Sequence, residues 1–130
     1  MIMLKKILYW LPRIIASLIL LQTLLFKFSG APESVYIFSQ LGLESHGRIG
    51  VGIMELITGI LLLVPKYSGI GGLLGIGLMA GAIFSHLTSL GIEVQGDGGQ
   101  LFIYALVVLF GCAITVFQEL EKLKALILRK

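Results

Sequence analysis

Four long apolar runs, at about 12–28, 47–64, 69–90 and 100–116, are joined by connections too short to hold a second domain. A bilayer's hydrocarbon core takes about 20 helical residues to cross. A backbone in lipid must bond its own polar groups, which favours helices for runs of this length. Only 13% of the residues are charged and mean hydropathy is +1.01, whereas soluble domains average about 25% charged. The sequence therefore predicts an all-α fold: one integral membrane domain over 1–130, built as a four-helix bundle.

Inside the second run, GRIGVGIMELITGILLLV, stands Glu55. A carboxylate at the centre of a membrane helix costs about 2.5–3.5 kcal/mol on insertion scales, so it needs a partner, a cavity or a proton. At 100° per residue Arg48, Gly52, Glu55 and Gly59 share one face, and the two glycines let another helix come close beside the carboxyl. Two readings stay open: a paired Glu that serves packing, or a site for a ligand or proton.

Net charge is +3, but the basic residues lie at run ends and form no stripe with interleaved aromatics, which argues against nucleic acid. Cys112 is the one cysteine, so an internal disulfide or a CxxC pair is excluded and a small core residue is expected. The Lys5-Lys6 pair before an apolar run imitates a signal peptide. With three further spans and no small-x-small cleavage pattern, an uncleaved first helix is expected.

Along the chain, Lys5, Lys6, Tyr9 and Trp10 suit the membrane–water interface. Pro12 reads as the first residue of a helix, where its missing N–H is harmless. Arg13 and Lys27 bracket the first span and can snorkel to opposite interfaces; Lys27 reads equally well as a functional group. Gln22, within that span, calls for a hydrogen-bond partner from another helix. SGAPESVYIFSQLG predicts a short interfacial helix from Pro32, ended by Gly42. The glycine-rich third span suits close packing, with Gly72, Gly75, Met79, Ala82 and His86 on one face. GIGGLLGIG is no phosphate loop, since it lacks both the Lys-Ser/Thr ending and a preceding strand. Gln100 and Tyr104 open the fourth span, and 118–130 reads as an amphipathic tail on the membrane surface.

Lys5, Lys6, Arg13, Lys66, Lys122, Lys124, Arg129 and Lys130 fall at one set of ends, and only Lys27 and Arg48 at the other. The positive-inside rule then puts both termini and the tail in the cytoplasm and the short helix outside. Gln22, Lys27, Arg48, Glu55, His86 and Tyr104 all belong to the outer half, leaving the inner half nearly bare of polar groups. That convergence makes these six the candidate ligand-binding set, with Glu55 and His86 as a candidate catalytic proton relay.

The arginine opening the first helix (Arg13), FKFSG with Lys27 closing it, IFSQLG, Glu55-Leu56 in MELITGILLLVP, and Gly81-Ala82…His86 in LMAGAIFSHL together resemble the DoxX-like family of small four-helix membrane proteins. The resemblance covers nearly the whole chain. One departure is the leucine-rich stretch Leu20–Leu25, where that family has small residues. The resemblance implies a bacterial or archaeal cytoplasmic (inner) membrane location. It also implies a redox-associated small subunit, because some relatives serve quinone-linked oxidoreductases such as thiosulfate:quinone oxidoreductase. A quinone-like ligand is then expected, held by Lys27, Glu55 and His86. A bis-histidine haem or a metal site is not, because only His86 among the histidines lies in a span. Expected partners are the bilayer, a soluble or membrane oxidoreductase subunit, and a second copy in a homo-oligomer. The alternative is a non-enzymatic scaffold whose polar cluster fixes helix register.

Overall fold

The computed structural model describes residues 1–128; Arg129 and Lys130, counted above among the inner basic residues, lie outside them. All regular elements among the described residues are helical: α1 (Ile2–Ser29), α2 (Pro32–Gln40), α3 (His46–Leu63), α4 (Ser68–Ser85) continued by a π-helical turn (His86–Leu90), α5 (Gln100–Gln118) and α6 (Leu120–Ile127). Four of the helical segments are long and apolar enough to cross a membrane: α1, α3, α4 with its π turn, and α5.

α1 starts ten residues earlier than the Pro12 rule predicts, so Pro12 lies inside the helix. A proline there removes the N–H that would bond the carbonyl four residues back. That carbonyl, on Leu8, instead accepts a hydrogen bond from Gln118 Nε2 at 3.0 Å. The side chain at the end of α5 repairs the break, and the stretch that reads as an interfacial segment becomes the first turns of α1. At the other end Gly30, with φ 69°, closes α1 in the left-handed conformation that glycine adopts without strain.

The four long helices pack in a closed ring, α1 on α3, α3 on α4, α4 on α5 and α5 on α1. Their shared core holds Ala16, Leu20, Leu62, Met79, Val108 and Cys112. Two crossings depend on missing side chains. A Cβ on Gly111 would stand 3.0 Å from the Pro12 carbonyl oxygen, and one on Gly72 would stand 3.0 Å from that of Cys112. Ser17 Oγ donates to the Gly59 carbonyl at 3.0 Å, joining α1 to α3. Only 28–33% of each apolar span is buried inside the ring. Large apolar side chains cover the outside, Phe110 at 65% and Phe117 at 77% exposure among them, as contact with lipid tails requires.

The end of the ring where α1 begins and α5 finishes, which the sequence reading assigns to the inner side, corrects the expectation that it is nearly bare of polar groups. Arg13 does not snorkel: it is wholly buried, with its guanidinium 3.6 Å from the Tyr9 ring centroid. Nη1 donates to the Tyr9 carbonyl and, at 2.8 Å, to Gln118 Oε1. Nη2 lies 3.4 Å from Glu119 Oε1, which also accepts from Ser68 Oγ at 3.0 Å. Glu119 therefore binds the start of α1, the start of α4 and the α5–α6 junction through one carboxylate. Leu123 packs against Gly69 and holds α6 down.

Removing one member of a buried ion pair strands the other charge, at a cost of about 3–5 kcal/mol. Glu119→Ala should accordingly lower unfolding stability in detergent by that order. Lys122→Ala should change it by under about 1 kcal/mol, because Lys122 reaches Glu119 at 3.7 Å with its side chain 68% exposed. Equal effects of the two variants in a denaturant titration would show that Arg13 does not need Glu119.

Candidate functional site

At the outer end Glu55 projects from α3 toward α1. Gly52 and Gly59 flank it, and α1 comes in against both: a Cβ on Gly52 would stand 2.6 Å from the Phe28 ring, and one on Gly59 3.4 Å from Leu21. This close approach puts Lys27 Nζ 2.9 Å from Glu55 Oε1, with side-chain exposures of 16% and 5%. Oε1 is fully shielded, and the Lys27 ammonium meets it at hydrogen-bonding distance, so the two form a close, desolvated ion pair.

Arg48 shares the Glu55 face but serves a different purpose. Its Nε donates to Glu44 at 2.8 Å, and its Nη1 donates to the Lys27 carbonyl. A cation on the last carbonyls of a helix is a favourable cap, so Arg48 fixes the end of α1 from which Lys27 reaches Glu55. It is a positioning residue.

The other three candidates divide. His86, buried at the start of the π turn, holds the Gly91 carbonyl through Nδ1 at 2.9 Å. The carbonyl only accepts, so Nδ1 carries the proton. The ring also meets Phe102 edge-on at a centroid distance of 5.5 Å. No hydrogen bond or ion pair links His86 to Glu55. Tyr104 is half-buried, and its hydroxyl accepts from Gln100 Nε2 at 2.7 Å. Gln22 is exposed on the outer surface of α1, and among the described residues its amide makes no hydrogen bond. No other described helix of this chain supplies the partner that the sequence calls for. One pair, Lys27 with Glu55, therefore stands at the centre, supported by Arg48. Among the described residues, no group of three or more His, Cys, Asp or Glu side chains could hold a metal ion.

Two arrangements escaped the sequence reading: the Arg13–Glu119 cluster and the part played by Asp97. Asp97 Oδ1 accepts from the backbone N–H of Val94 at 3.0 Å and of Gly99 at 2.8 Å, and Oδ2 accepts from Leu101 at 3.3 Å. It caps α5 from three residues before the helix and ties down the 91–99 loop whose Gly91 carbonyl His86 holds. An acid shortly before an apolar helix was the available signal.

Burial alone would raise the Asp97 pKa. The N–H groups of Val94, Gly99 and Leu101, with the His86 ring nearby, outweigh it and hold the carboxyl below its ordinary range. A folded pKa below the unfolded one means that the stabilisation is complete above the unfolded value, about 3.9. It is lost as pH falls through the depressed folded value. Amide exchange at Val94, Gly99 and Leu101, corrected for intrinsic rates, should accelerate as pH is lowered below about 4. In Asp97→Asn it should be fast at neutral pH and lack that transition. Acid-independent protection in the unsubstituted protein would remove Asp97 as the loop's anchor.

No protein-family model, curated protein or solved structure matches the chain.

Proposed function

We propose that the chain is a DoxX-like integral membrane protein of a bacterial or archaeal cytoplasmic membrane, with both termini cytoplasmic. In this reading it is a redox-associated small subunit that binds a quinone-like headgroup at Lys27 and Glu55. The observation that carries the reading is a shielded carboxylate and a lysine ammonium 2.9 Å apart between two apolar spans. Ionisable groups paired inside apolar spans are candidate sites for a ligand that exchanges protons. A quinone carbonyl can accept from Lys27 Nζ, and a quinol hydroxyl can donate to the Glu55 carboxylate. When bound, such a ligand would supply electron and proton carriage to a partner oxidoreductase subunit. Lys27 would hold and polarise the headgroup oxygen, and Glu55 would hold or take up its proton. His86, bonded to Gly91 beneath the 91–99 loop, shapes the outer rim in this reading and is not the proton partner of Glu55.

A second reading is favoured by the direct 2.9 Å contact itself. In it Lys27 and Glu55 simply close α1 onto α3, and the protein is a scaffold. Paired replacement by apolar residues of similar size then leaves stability unchanged or raised.

The two part experimentally. Quinone extracted from the purified protein, and saturable binding of a short-chain quinone, should be present in the unsubstituted chain. Both should fall at least about tenfold in Glu55→Gln, with helix content intact. Equal quinone content in both proteins, together with an undiminished thermal midpoint in Lys27→Met/Glu55→Leu, would leave the scaffold reading in its place.

Orientation is tested separately, in a Cys112→Ala background. Gln40 and Lys124 are exposed at opposite ends of the ring. A membrane-impermeant maleimide added outside intact cells should modify Gln40→Cys and spare Lys124→Cys. The reverse pattern would invert the proposed topology.

A further inference from the structure

Gln22 is the anomaly on the outer surface of α1. It lies six residues, about 9 Å at 1.5 Å per residue, inside the outer end of the first apolar run. Its neighbour Thr23 turns its hydroxyl back to the Leu20 carbonyl at 3.0 Å. The Gln22 amide has no such bond among the described residues and faces away from the ring. Lipid tails offer it nothing, and an amide left unbonded in an apolar medium costs several kcal/mol on the strictest transfer scales. The surface around it is ordered: Leu11, Ile15, Leu18, Gln22, Leu25 and Ser29 follow one another at spacings of four, three, four, three and four, and all six are exposed. That spacing follows the outward face of the helix and is also the a/d spacing of a helix–helix seam, in which a single amide at a core position fixes register and partner number.

We propose that α1 forms this seam with α1 of a second copy of the chain, and that the two Gln22 side chains hydrogen-bond each other across it. A carboxamide carries both a donor and an acceptor and so complements itself. Two copies related by a twofold axis place like residues opposite each other. The ring itself offers no competitor: the residues that join α1 to α3 and α5, such as Arg13, Ser17 and Leu20, lie on the opposite side of the helix and are buried. The inference rests on α1 spanning the membrane and is independent of any ligand at Lys27 and Glu55.

The test is disulfide cross-linking in native membranes, again with Cys112→Ala. Leu18→Cys and Leu25→Cys, flanking Gln22 on the seam, should give dimers on mild oxidation. Phe110→Cys, equally exposed on α5, should not. Adding Gln22→Leu should weaken association about 3- to 30-fold, the range of interhelical side-chain hydrogen bonds in membranes, and Gln22→Asn should restore most of it. The inference is overturned if neither seam position cross-links, if Phe110→Cys does so equally, or if Gln22→Leu leaves the yield unchanged. A carbonate wash separates the two levels: protein stripped from the membrane overturns the membrane reading, whereas protein retained but monomeric overturns the seam alone.

Discussion

Everything at the inner end depends on one buried guanidinium. Arg13 has no solvent to turn to, so its charge must be met by protein, and α1, α4 and the α5–α6 junction converge to meet it. The tyrosine face beneath it, the Gln118 carboxamide and the Glu119 carboxylate share the neutralisation, as a desolvated charge requires. Pro12, one residue earlier, adds a second demand by freeing the Leu8 carbonyl, and Gln118 answers both through its two ends. Helix-breaking residues survive in apolar segments when a neighbour re-satisfies the backbone, and this crossing follows that rule.

The other end meets the same demand with fewer groups. Lys27 and Glu55 are close and shielded, and among the described residues the lysine is the one charged partner of the glutamate. The inner carboxylate, by contrast, takes a serine hydroxyl and lies near three cations or polar groups besides. The two ends of one bundle thus differ in how many groups meet at the carboxylate: several converge on Glu119, whereas Glu55 meets one cation.

The number of long helices was legible because apolar runs of membrane length leave few alternatives. Glu55 and Lys27 stood out because each is a charge flanked by apolar residues. The rest was not legible, for identifiable reasons. Arg13 lies at the end of a run, where a long basic side chain ordinarily reaches for water, and its partner Glu119 sits in a segment that reads as an exposed amphipathic tail. Pro12 obeys a local rule for helix starts that a side chain 106 residues away overrides. His86 and Glu55 were grouped by depth, but depth along an axis says nothing about the direction in which a side chain leaves it. Gln22 was recognised as needing a partner, but a sequence cannot distinguish the inward face of a helix from the outward one when both are leucine-rich.

The tie between Pro12, Arg13 and the end of α5 also bears on how such a chain is made. Synthesis delivers α1 before α5, with an unbonded carbonyl at Leu8 and a cation met only by Tyr9 of its own helix; the remaining groups that answer them belong to the last third of the described chain or, through Glu119, to the start of α4. Until α5 emerges, α3 can pack beside the helix, but the groups at the end of α5 that meet Arg13 and Leu8 are missing. Its early residence in the bilayer therefore depends on interfacial water, lipid headgroups or the insertion machinery, and assembly is completed from the far end of the chain backward. A ribosome that stalls before Gln118 would leave in the membrane a helix that still displays the charge its own protein was built to conceal.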